Sequence, residues 1–128
     1  MTTDNKTFGP YSPIRRVGDM YFTAGHVGVD TATKVADEDV AAQTTKALDN
    51  LAETLADAGL SLDDIVKTTV FVTDMADFTA INEAYVQRFN EPRPARSTVA
   101  VKELPRLAMN GPVKVEIEAI AIKPERET

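Results

Sequence analysis

Apolar positions along the chain change period several times, and each change marks an element. From Asp37 to Ala58 the apolar and small residues Val40, Thr44, Ala47, Leu48, Leu51, Leu55 and Ala58 recur three and four apart, which predicts an amphipathic helix. Asp37, Glu38 and Asp39 crowd its start, where they complement the helix dipole, and Gly59 follows its end. Ile65 to Thr73 is dense in β-branched residues and too short for a helix, so it reads as a central strand entered from the capped turn Ser61-Leu62-Asp63-Asp64. A second helix, capped by Asp74 or Asp77, presents the stripe Phe78, Ile81, Tyr85 and Phe89 and stops before Pro92.

Strands account for the rest. Gly18-Asp19 between Ile14–Val17 and Met20–Thr23 predicts a hairpin. Pro92 and Pro94 force an extended approach to Ala95-Arg96-Ser97-Thr98-Val99-Ala100-Val101, and so place Arg96 at the mouth of a strand. Leu104 to Pro112 is a loop punctuated by Asn-Gly-Pro. In the last strand, Val113 to Ile122, Val115, Ile117, Ala119 and Ala121 share one face, while the other runs from acidic (Glu116, Glu118) to apolar (Ile120, Ile122). The expected fold class is α+β, with two helices covering one face of a mixed sheet in a single domain over residues 1–128. Ile120 and Ile122 leave the other face apolar, which calls for cover by association with further copies.

Composition narrows the chemistry. The 128 residues include no cysteine, which excludes disulfides, thiolate metal sites and a cysteine nucleophile. A formal net charge of -6 argues against general nucleic-acid binding, because phosphate affinity rests on clustered lysine and arginine. No apolar run approaches the length of a membrane span and the polar start holds no signal-peptide core, so the expected location is cytoplasmic. His26, the only histidine, has no second ligand beside it in sequence; this favours a structural role over metal binding or catalysis, and no metal is expected. Arg96 reads either as an ion-pair partner or as a guanidinium that grips a carboxylate through two parallel hydrogen bonds. With both strands in one sheet, a carboxylate at the polar end of the last strand could share a pocket with Arg96 and handle a water molecule.

Four segments in order, Gly9-Pro10-Tyr11-Ser12, Thr69-Val70-Phe71-Val72-Thr73-Asp74, Pro94-Ala95-Arg96-Ser97 and Val115-Glu116-Ile117-Glu118-Ala119-Ile120-Ala121, resemble the motifs of the RidA (YjgF) family of imine deaminases. The resemblance runs from about Gly9 to Ile122. It implies a chorismate-mutase-like fold, a homotrimer with pockets between subunits, and cofactor-free hydrolysis of 2-imino acids such as 2-iminobutanoate or 2-iminopropanoate. It assigns Arg96 to the substrate carboxylate, Glu116 to the attacking water, and Tyr11 to covering the ligand. Gly25 and Thr98 would contribute walls, Asn82 would shape the pocket, and His26 would stand beside them. The chain departs from the best-characterised branch in three places: Ala24-Gly25-His26 replaces Ser-Gly-Gln, Thr98 replaces a common cysteine, and the Leu104–Pro112 loop is several residues longer. These departures favour the alternatives of altered specificity or of a non-catalytic, carboxylate-binding trimer. RNA cleavage, sometimes suggested for relatives, fits poorly with the acidic charge and the single histidine.

Overall fold

The computed structural model describes residues 8–124. Six strands, β1 (Ile14–Val17), β2 (Met20–Thr23), β3 (His26–Val27), β4 (Ile65–Val72), β5 (Ala95–Ala100) and β6 (Val115–Ile122), form one mixed sheet with α1 (Val40–Asp57) and α2 (Phe78–Val86) packed on it. The order across the sheet is β1-β2-β6-β4-β5, with β3 continuing along the same edge of β6 as β2. All these pairings are antiparallel except β4 with β5, whose parallel connection is made through α2.

The two-residue Gly18-Asp19 turn closes the β1–β2 hairpin as expected, with Gly18 alone in the left-handed region at φ 60. The long helix starts later than its acidic run predicts. Asp39 is the N-cap, accepting from the Ala42 amide at 3.0 Å, and Asp37 accepts from the Asp39 amide at 2.8 Å, so the acids order the approach instead of filling the first turn. At the other end Gly59 takes φ 79, its amide donates to the Ala56 carbonyl and that of Leu60 to Leu55, the paired bonds of a Schellman ending. The predicted stripe faces inward: Leu48, Leu51 and Leu55 are fully buried against Val70, Val115, Ile117 and Ala121.

Asp74, not Asp77, supplies the cap of the second helical segment; it accepts from the Ala76 amide and begins a 3-10 turn, Met75–Asp77, that leads into α2. Ile81, Tyr85 and Phe89 are buried as expected, but Phe78 stays partly exposed beside Arg96. Thr68 and the Tyr85 hydroxyl share a buried hydrogen bond of 2.7 Å that ties α2 to β4.

One irregularity decides where the site lies. Phe22 pairs with Ile120 and His26 with Ile117, so three residues, 23–25, face two, 118–119. This is a β-bulge at Ala24-Gly25, and the Thr23 hydroxyl fills the gap in the ladder by accepting from the Ala119 amide at 2.9 Å. The slip reverses the alternation of faces, turning His26 inward toward α1. Gly28, just beyond, lets α1 approach: a Cβ there would overlap the backbone of Gln43. Gly28→Ala is therefore expected to destabilise the chain by about 2 kcal/mol or more, read from urea unfolding.

The face of the sheet away from the helices carries Met20, Phe22, Val99 and Ile122, each 40–42% exposed. Among the described residues no helix is long and apolar enough to cross a membrane.

Candidate functional site

Two groups of the expected residues assemble, in different places. The first lies between β5 and α2. Parallel pairing sets Arg96 beside Thr68, on the helix-covered face, and two residues on Thr98 beside Val70 on the same face. The Arg96 guanidinium carbon lies 4.7 Å from the Tyr85 ring centre and 5.6 Å from that of Phe78, and Nη2 donates to the Asn82 side-chain carbonyl at 2.6 Å. Stacked aromatic faces and one amide thus hold the guanidinium in a single orientation. No acidic side chain among the described residues pairs with it. Within the described residues, then, it is not an ion pair that places Arg96, and the remaining N–H groups of the guanidinium point to an anion. An open cavity of about 280 Å³ adjoins it, lined by Asn82, Tyr85, Val86, Arg93 and Pro94. Burial pushes the Tyr85 hydroxyl up from its ordinary range, against the smaller opposing pulls of Thr68 and Arg96, and so keeps it protonated at neutral pH.

The second group surrounds the bulge. Glu116 on β6 lies opposite Phe71 on one side and Val27 on the other, and its carboxylate rests directly on Gly25, where any Cβ would overlap it. Only glycine admits this approach. Burial, with a smaller contribution from the like charge of Glu118, raises the Glu116 carboxyl above the usual carboxylate range. His26 is buried at 6% exposure; its Nδ1 lies 2.8 Å from the Ala24 carbonyl and its Nε2 2.8 Å from the Thr54 hydroxyl of α1. A carbonyl can only accept, so Nδ1 carries a proton, and Nε2 shares its hydrogen bond with the Thr54 hydroxyl. His26 is thus turned away from solvent, beneath the Gly25 wall. Tyr11 is exposed, with its ring folded over Gly9; its hydroxyl bonds to neither group.

Both strands do lie in one sheet, but Arg96 and Glu116 do not share a pocket within the chain. Strand β4 separates them, their partners on it, Thr68 and Phe71, are three residues apart, and they occupy opposite faces. Sheet spacings put their Cα atoms roughly 14 Å apart. Nothing in the sequence marks Tyr85 and Phe78 as the platform of Arg96, or Thr54 as the partner of His26. The aromatic pair flanks Asn82 at helical spacing, a signal that core packing also produces.

A family model described as Endoribonuclease L-PSP matches residues 1–123. The chain belongs to the YjgF/RidA family. It is 44% identical over 118 residues to a Salmonella typhimurium protein named 2-iminobutanoate/2-iminopropanoate deaminase, covering 90% of this chain and 88% of that one. It is 40% identical over 119 residues to a RutC family protein of Pyrococcus abyssi, covering 92% of this chain and 90% of that one. Among solved structures, the E. coli YjgF gene product superposes with a TM-score of 0.82 at 41% identity, covering 93% of this chain and 92% of that one. E. coli TdcF with bound serine does so with 0.82 at 40% identity, covering 92% and 91%. The α+β architecture of the RidA family is therefore that of this chain.

Proposed function

We propose that the chain is a hydrolase that converts 2-imino acids, of which 2-iminobutanoate and 2-iminopropanoate are the type, to 2-keto acids and ammonia in the cytoplasm. The observation that carries the reading is Arg96: a guanidinium stacked on two aromatic rings, braced by Asn82 and without an acidic partner in the described chain, is built to receive a carboxylate. Names of relatives support it, since a deaminase is 44% identical and TdcF was crystallised with serine, which carries such a carboxylate.

Arg96 fixes the substrate carboxylate, and Glu116 orients or deprotonates a water that attacks C2 of the protonated imine. Glu116 passes the proton taken from that water to the carbinolamine nitrogen, which leaves as ammonia while the hydroxyl proton is lost to solvent, giving the keto acid and restoring the carboxylate. No redox partner enters that balance. Because Arg96 and Glu116 sit on separate faces of one chain, a complete site needs the Arg96 group of one copy facing the Glu116 group of another. A homotrimer closed through the apolar sheet face would provide three such junctions. Tyr11 would close over the ligand and Thr98 would line its path.

Imine generated in situ by an amino-acid oxidase and trapped with semicarbazide gives the test: the protein is expected to suppress trapping. The second reading, a carboxylate-binding trimer without turnover, is favoured by Ala24 and His26 standing where the best-characterised branch carries serine and glutamine. A thermal shift with 2-ketobutyrate unaccompanied by imine hydrolysis would establish it.

A further inference from the structure

We propose that His26 is a positioning residue for Glu116, stapling the Ala24-Gly25 bulge to α1 so that the Gly25 backbone forms a fixed wall against the Glu116 carboxylate. This rests on the deaminase reading of the Glu116 group. The chain of contacts is continuous: the Thr54 hydroxyl on α1 is hydrogen-bonded to His26 Nε2, His26 Nδ1 donates to the Ala24 carbonyl, and the next residue, Gly25, is the one on which the carboxylate lies. His26 also pairs with Ile117, the neighbour of Glu116 on β6, so the ring anchors the bulge on the strand that bears the acid. Bulged backbone lacks part of its ladder, and a side-chain staple replaces the lost restraint.

The ring has little freedom to swing. A cavity of only about 20 Å³ lies beside it, lined by Phe8, Gly25, Asn50, Glu53 and Thr54, room for roughly one water. A merely structural histidine would contribute packing and two hydrogen bonds to stability. A positioning histidine also sets how dry the carboxylate is, because water reaches Glu116 once the wall of Gly25 relaxes.

The test is titration of the Glu116 carboxyl by carbon NMR in the full-length protein, its signal identified by loss in Glu116→Gln. It is run on wild type, His26→Gln, His26→Leu and Thr54→Val, with kcat and KM measured on each. In the leucine and valine variants the Glu116 midpoint is expected to fall toward the ordinary carboxylate range as the group hydrates. Their kcat should drop about tenfold with KM within about twofold, since Arg96 is untouched. His26→Gln, which can still donate to Ala24 and accept from Thr54, should recover most of both. Thr54→Val is nearly isosteric and decides the matter if the leucine variant does not fold. An unmoved Glu116 midpoint in folded Thr54→Val, or equal losses of kcat in the glutamine and leucine variants, would overturn the proposal. Absence of imine hydrolysis in wild type would instead sink the deaminase reading, and the titration would still report whether His26 sets the environment of Glu116.

Discussion

Arg96→Ala is expected to lower imine hydrolysis by about a thousandfold while the protein stays folded and assembled. Losing the guanidinium removes both the carboxylate's charge-assisted hydrogen bonds and the orientation they impose on C2, and positioning alone can be worth several powers of ten. The side chain lies over Tyr85 and Phe78 at the edge of the core, and among the described residues its one hydrogen bond is to a half-buried Asn82. Its removal therefore leaves no buried charge unpaired, and thermal unfolding should shift only slightly. Arg96→Lys should fall between, about ten- to a hundredfold below wild type, because a point charge on a flexible stem keeps the attraction but loses the fork and the stacking. Steady-state kinetics with a melting curve on each variant checks this; a melting curve that collapses along with activity would return Arg96 to a structural role.

Glu116→Gln should lower kcat about a hundredfold or more with little change in KM, because the acid serves the water and Arg96 serves the substrate. The same substitution should stabilise the protein at neutral pH. Burial raises the Glu116 carboxyl above its ordinary 4.5, so the folded chain holds the proton more tightly than the unfolded chain does. Stability contributed there is present at low pH and is lost as pH rises through the window from 4.5 to the raised folded value. The amide carries no charge to desolvate, so the variant's advantage should appear above that window and fade below it. For the same reason the acid limb of kcat in wild type should lie above the usual carboxylate range, and disappear in the glutamine variant. Urea unfolding and a rate profile, each run from pH 3 to about pH 8, read both effects.

Much of this architecture was legible because it is local. The stripe of Leu48, Leu51 and Leu55, the Gly18-Asp19 hairpin, and the alternation of Val115, Ile117, Ala119 and Ala121 each follow from a period or a turn within a few residues. The start of α1 is ambiguous in sequence because three acids in a row offer several caps, and only the backbone geometry at Asp39 selects one. What sequence could not supply was register. Whether Arg96 and Glu116 face each other depends on the strand inserted between them and on which residues of β4 each one meets. The bulge at Ala24-Gly25 reverses a face through a one-residue slip, and no local pattern besides the glycine announces it. Isolation in sequence gives His26 a structural reading; its partner Thr54 lies 28 residues away and is brought to it only by the packing of α1 across the bulge.

The measurement that bears most directly on the account is complementation between two inactive variants. Arg96→Ala and Glu116→Gln, each inactive alone, are co-expressed with different tags, and oligomers carrying both tags are assayed for imine hydrolysis. If sites form between copies, every trimer carrying both tags joins an intact Arg96 to an intact Glu116 at one of its three junctions, and activity returns to about one third of wild type. If each chain holds its own complete site, every site in the mixture lacks one residue and no activity returns, which would contradict the division of the site between subunits.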